Sequence, residues 1–169
     1  MTTGACPSSL LNRRGAGRWD SGLTSDFSES ITIGCTSDAA FAYLADPANA
    51  TTLDPVLISY EPDRVPMMVG TTNRIRFRMV GLPIGMTTHV RQWDIGMRMV
   101  IDTISPSRPF RATAIHTFET RPGGTLYTWA MEFRSTSPGG TLFAMIASRL
   151  MRRAVRSQQK RFKEIMERQ

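Results

Sequence analysis

The chain has few of the residues from which chemistry is usually built. It holds two cysteines and two histidines, and only two lysines among its 21 basic residues. Cys6 and Cys35 make no disulfide framework, and no Cys-x-x-Cys or Cys/His cluster offers metal-ligand spacing, so no metal or cofactor is expected. No apolar run approaches the roughly 20 residues that span a bilayer. The first 22 residues lack the apolar stretch of about 7–15 residues that marks a secretory signal. A reduced, cytoplasmic location follows. There are no paired carboxylates, no GxSxG and no phosphate loop. Asp54, Asp102, Glu119 and Glu132 stand as isolated carboxylates, the last two opposite the apolar parity of their strands and so solvated.

What is present describes one globular domain. The 169 residues are 41% hydrophobic and 21% charged, which excludes a wholly disordered or collagen-like chain. The formal charge of +7 sits at the ends: residues 149–169 carry a net +6 and residues 1–24 a net +2, around a body of −1. Basic ends favour nucleic acid or an anionic membrane, although a solvated helix face is the plainer reading. Residues 1–24, rich in Gly, Ser, Thr and Arg and without apolar period, read as a disordered tail. Residues 25–169 read as the domain.

Alternation defines the strands. In 26–35, Phe27, Glu29, Ile31, Ile33 and Cys35 share one face. Thr36 or Ser37 then caps a helix carrying Ala40, Phe41 and Leu44, which Pro47 ends near Ala45–Asp46, with a second short turn over 47–51. Strands are expected at 56–62, 72–80, 86–94, 97–105, 110–120 and 126–134. Between the second and third of these, 81–85 (GLPIG) reads as a turn. Ile75, Phe77 and Met79 oppose Arg74, Arg76 and Arg78. Gly123–Gly124 makes a tight hairpin, after which Tyr127, Trp129, Met131 and Phe133 share a face.

Residues 141–167 contain neither Pro nor Gly and predict a helix of about 40 Å. At about 100° per residue, Phe143, Ile146, Ala147, Leu150, Met151, Ala154, Phe162 and Ile165 form an apolar stripe. Arg149, Arg152, Arg153, Arg156, Lys160 and Lys163 form a basic one. Glu164 and Arg168 are ordered for an i,i+4 pair. The expected architecture is α+β: a curved antiparallel sheet of about seven strands around a long C-terminal helix, with two short helices after the first strand. Such a sheet gripping a helix leaves a cavity between them.

The stretch Ile31-Thr32-Ile33-Gly34-Cys35-Thr36-Ser37-Asp38-Ala39-Ala40-Phe41-Ala42-Tyr43-Leu44-Ala45-Asp46-Pro47 resembles the first strand and first helix of the START-like, or SRPBCC, superfamily. Within it, the polyketide cyclase/dehydrase and lipid transport group is the nearest likeness. Gly123-Gly124-Thr125-Leu126-Tyr127-Thr128-Trp129 resembles that group's last hairpin, and the helix from Thr141 its terminal helix. The resemblance covers about residues 26–167. It departs at Thr51-Thr52-Leu53-Asp54-Pro55, where family members often carry Trp. It implies a helix-grip fold with a hydrophobic pocket between sheet and helix.

The residues fit such a pocket on their own terms, because small-molecule sites are apolar with a few convergent polar groups. Candidates for its lining are Phe77, Met79, Trp93, His116, Tyr127, Trp129, Met131, Ile146, Leu150 and Ala154. Eleven methionines suit an irregular cavity. His116 shares parity with Ala114 and Phe118, points inward, and is the one candidate acid or base. His89 shares parity with Arg91 and Trp93.

Three functions follow as expectations. The first is binding or transport of a hydrophobic small molecule, such as a lipid, polyketide or isoprenoid. The second is a cyclase, aromatase or dehydratase in the same cavity. The third is contact with RNA or an anionic membrane through Arg149, Arg152, Arg153, Arg156, Lys160 and Lys163. No specific nucleic acid is expected, since that stripe has no interleaved aromatics.

Overall fold

The alternating segments pair into one antiparallel sheet of seven strands, in the order β1-β7-β6-β5-β4-β3-β2. The computed structural model describes residues 24–79, 81–103, 110–135 and 140–168. Strand β1 (Thr24–Ile33) leads to α1 (Ser37–Ala45), a 3-10 turn (Pro47–Asn49) and α2 (Ala50–Leu53). Then follow β2 (Leu57–Pro62), β3 (Thr72–Met79), β4 (Leu82–Asp94), β5 (Arg98–Thr103), β6 (Phe110–Arg121), β7 (Gly124–Ser135) and α3 (Gly140–Met166). The expected tail falls almost wholly outside the described residues.

Local chemistry explains the boundaries. Thr36 caps α1 by accepting from the Ala39 N–H at 3.3 Å, and Asp46 accepts from the Ala48 N–H at 2.9 Å as the next turn starts. The β6–β7 hairpin turns at Gly123 and Gly124. Gly124 has φ +143°, and a Cβ there would stand 2.0 Å from the Ile33 carbonyl oxygen, so the hairpin closes against β1 only because that side chain is absent.

The expected turn at 81–85 is a correction. β4 already runs from Leu82, and Pro83 pairs with Arg78 of β3. The pairing of β4 with β5 begins at Thr88. Among the described residues Pro83 therefore has a strand on one side only, where its missing N–H breaks no ladder.

Two clusters form the core. Ile33, Ala40, Phe41, Leu53, Met99, Phe118, Tyr127, Phe162 and Met166 pack beneath α1 and the C-terminal half of α3. Phe27, Ala112, Met131, Phe133 and Val155 form the second. Each large apolar side chain so buried contributes about 1.5–3 kcal/mol.

Helix α3 lies on the sheet in a different phase from the one expected. Among its described residues Ser148, Val155, Gln159, Phe162 and Met166 are buried. Ile146 and Leu150, placed by sequence on the inner stripe, are 52% and 48% exposed, on the side of the helix away from Ser148 and Val155. The phase is set by polar anchoring as well as by apolar burial. Glu29, the charged residue on the inner face of β1, receives Arg152 Nε at 2.9 Å and Arg156 Nε at 2.8 Å. Gln159 donates to the Glu29 carbonyl at 2.8 Å, and Lys163 donates to the Thr32 carbonyl at 2.7 Å. The i,i+4 pair seen is Lys163–Glu167 in place of Glu164–Arg168.

Candidate ligand site

Between the sheet and the middle of α3 lies a cavity of about 260 Å³. Its floor is the concave face of β3 to β7: Ile75 and Phe77, alternate residues of β4 (Ile84, Met86, Thr88), Met99 and Ile101, and alternate residues of β6 (Ala112, Ala114, His116) and β7 (Trp129, Met131, Phe133). Met151, Ala154, Val155 and Gln158 of α3 roof it, and Leu44, Asp46, Leu53, Asp54 and Val56 close one side. Val56 is 43% exposed and marks where the lining meets solvent. The cavity exists because α3 presents residues there that are small or flexible, whereas two turns later Phe162 fills the same gap.

Phe77, His116, Trp129, Met131 and Ala154, all expected at the pocket, line it. The side chain of Met79 lies outside the described residues. Four candidates are placed elsewhere. Tyr127 is 1% exposed inside the first core cluster, one step along β7 past the cavity. Trp93 packs edge-on against Phe41 at 5.2 Å. Ile146 and Leu150 face outward for the reason given above. His89 does not share a face with Trp93. A bulge between Val90 and Gln92 adds one residue to β4, so Thr88, Val90 and then Trp93 face inward while His89 pairs across with Asp102 on the outer face.

His116 is the one histidine in the lining, and it is 6% exposed. Its Nδ1 lies 2.8 Å from the Tyr127 hydroxyl, with the two rings nearly parallel, and Trp129 stands 4.7 Å away, centroid to centroid. Burial pushes its pKa down to about 3 and raises that of Tyr127 well above the usual phenol value, so both are neutral at pH 7. Trp129 Nε1 is enclosed without an acceptor among the described residues.

Polar groups that sequence periodicity did not single out for the pocket also line it. Asp54 accepts from the Val56 N–H at 3.1 Å, and burial raises its carboxyl pKa. The Tyr60 hydroxyl donates to Met67 Sδ at 3.4 Å, with its pKa pushed up to about 12 by burial. Asp46 and Asp54 sit on turns, where neither the strand nor the helix period applies. Gln158 sits on α3 in the phase that the apolar stripe misjudged. Among the described residues no Lys or Arg lines the cavity.

A sheet that grips a long helix around an apolar cavity is the helix-grip architecture, and the comparisons agree. The chain belongs to the polyketide cyclase/dehydrase and lipid transport family, whose model matches residues 24–167, within the START-like, or SRPBCC, superfamily. The Zhui aromatase/cyclase from Streptomyces sp. R1128 is similar in structure, with a TM-score of 0.72 and 12% identity over 86% of this chain and 95% of that one. The di-domain aromatase/cyclase BexL from the BE-7585A biosynthetic pathway gives 0.70 and 15%, over 86% of this chain and 50% of that one. Ara h 8.0201 gives 0.67 and 12%, over 87% of this chain and all of that one. At these identities the likeness is one of fold. No curated protein matches the chain. Among the described residues no helix is long and apolar enough to cross a membrane.

Proposed function

We propose that this protein binds or carries a hydrophobic small molecule, of lipid, polyketide or isoprenoid type, in the cavity between sheet and α3. The observation that carries this reading is the cavity itself, walled by aliphatic, aromatic and methionine side chains with a few polar groups among them. Residues 25–169 act as the single working unit, and Cys35, a free thiol, suits a reduced cytoplasmic setting. Native mass spectrometry of the purified protein, followed by denaturing extraction, tests the reading. A co-purifying apolar molecule supports it. A protein that carries none and binds no apolar probe sinks it.

The second reading, a cyclase or dehydratase in the same cavity, is favoured by the similarity to aromatase/cyclases. His116 is its one acid/base candidate, and a ring held neutral by burial suits binding better than proton transfer near pH 7. Unchanged turnover of an extracted substrate by His116→Ala would remove that candidate.

Contact with an anionic membrane falls, on this reading, to the outward face of α3. Arg152, Arg156 and Lys163 are engaged with Glu29 and Glu167. Arg149, Arg153 and Lys160 have no carboxylate partner among the described residues, and the first two lie beside exposed Met145, Ile146 and Leu150. Salt-insensitive binding to anionic vesicles would exclude the electrostatic form of this contact.

A further inference from the structure

Resting on the cavity's being a ligand site, we propose that His116 presents its Nε2–H to the cavity as a fixed hydrogen-bond donor, held in that tautomer by Tyr127. The ligand is then an apolar molecule carrying a neutral carbonyl oxygen, and not a carboxylic acid. The argument starts from proton bookkeeping at a buried pair. One proton lies between His116 Nδ1 and the Tyr127 oxygen, 2.8 Å apart, and either atom can supply it. If Nδ1 supplied it, the Tyr127 O–H would be left with no acceptor among the described residues, inside an apolar cluster. An unmet buried donor costs about 1–3 kcal/mol. If Tyr127 donates instead, its proton is satisfied and Nδ1 is the acceptor. The single proton of the neutral ring then sits on Nε2.

Nε2–H has no acceptor among the described residues. Trp129, the ring packed against His116, offers none, since its indole nitrogen is a donor only and is itself unmet. Met99, paired across from His116 on β5, offers at most a weak thioether acceptor. What the lining lacks around His116 is an oxygen lone pair, and a ligand carbonyl supplies one. The charge of the walls excludes the commonest alternative. Among the described residues, the ionisable groups that line the cavity besides His116 and Tyr60 are Asp46 and Asp54, with no Lys or Arg. A carboxylate would enter with no counter-charge and would face two acids. Tyr127 is thus a positioning residue, acting through His116.

Three isosteric probes test this: 2-isopropenylnaphthalene, 2-acetylnaphthalene and 2-naphthoate, which differ only in carrying C=CH2, C=O or a carboxylate. The expected result is that His116→Phe weakens the ketone about tenfold relative to the isopropenyl hydrocarbon, the size of one net hydrogen bond. 2-Naphthoate binds more weakly than the ketone. The carbonyl stretch of the bound ketone lies below its value in alkane solvent and returns upward in His116→Phe. In the free protein, nitrogen-15 NMR of His116 shows Nε2 protonated and Nδ1 accepting, and Tyr127→Phe converts this to a tautomer mixture with a smaller loss of ketone affinity. That variant also serves if His116→Phe does not fold.

A protonated Nδ1, or equal weakening of ketone and hydrocarbon by His116→Phe, overturns the donor assignment while leaving the cavity intact. Naphthoate binding as tightly as the ketone overturns the exclusion of carboxylates. Failure of all three probes to bind overturns the ligand-site reading and the carbonyl ligand with it, and is distinguished from the other outcomes because the tautomer is read without ligand.

Discussion

The two ends of the interior stand on the same strands and are closed differently. Along β6, Phe118 belongs to the packed cluster, while Ala112, Ala114 and His116 line the cavity. Along β7, Tyr127 is packed and Trp129 and Met131 face open space. α3 makes the same passage, from Met166 and Phe162 in the core to Val155, Ala154 and Met151 over the cavity. One end has α1 as a second cover, with Phe41 edge-on to both Trp93 and Phe118. The other has α3, presenting short or flexible side chains, with α2 and its flanking turns closing one side. The comparison teaches that the cavity is not a defect of the sheet. It is what remains where the helix residues are too small to finish the core, and His116 stands at the boundary.

The contrast breaks most visibly under truncation. Phe162→Ala, at the closed end, should lose about 3–5 kcal/mol in urea unfolding. Met151→Ala, beside the cavity, should lose under about 2 kcal/mol, at or below the low end for such changes, because fewer contacts surround it. Equal losses would mean the two ends are equally packed. Enlargement sharpens the same comparison at a smaller scale. Ala154→Phe should enter existing space, changing stability within about 1 kcal/mol and abolishing apolar probe binding. Ala40→Phe, on the fully buried α1 face, should show the roughly 1–3 kcal/mol penalty of overpacking or more.

Acid titration separates His116 from the α3 clasp. A base whose folded pKa is about 3 against its usual 6.5 contributes stability that is complete above about pH 6.5 and lost as pH falls towards 3. His116→Phe should flatten the stability curve over that interval. Glu29 is held below the usual 4.5 first by its hydrogen bond with Arg156, with further help from the Arg156 and Arg152 charges. Its contribution is complete above about pH 4.5 and lost as pH falls through the lowered value. Glu29→Gln should remove only that lower part. This is the smallest of the expected effects, since both arginines are about half exposed and solvent screens the pair.

Much of the fold was legible because strand parity is a strong signal where one face is buried. Ala114, His116 and Phe118 of β6 and Tyr127, Trp129, Met131 and Phe133 of β7 fell on the inner face by alternation alone. Parity failed where it was carried past Val90, because a bulge has no signature in a run such as His89-Val90-Arg91-Gln92-Trp93. The phase of α3 failed for a different reason. A hydrophobic stripe weighs Ile146 and Leu150 as inward, yet the helix is also held by Gln159 and two arginines on Glu29. A polar anchor outweighs two aliphatic side chains that stay half in water. Asp54 was invisible as lining because it sits on a turn, and Tyr60 because a register shift between Leu57 and Ser59 breaks the alternation of β2.

The bulge in β4 has a further consequence. It acts as a phase shifter within a single strand: Thr88 lines the cavity, Val90 is fully buried, Arg91 is the extra residue, and Trp93 returns inward against Phe41. No point substitution reproduces that. Regular pairing through Arg91 would turn Gln92 towards the core and send Trp93 to water, whereas deletion of Arg91 would remove the bulge and leave Trp93 facing inward by plain alternation. One added residue therefore lets a single strand line the cavity at Thr88 and still turn Trp93, which unbroken alternation through Arg91 would put in water, into the packed end of the interior.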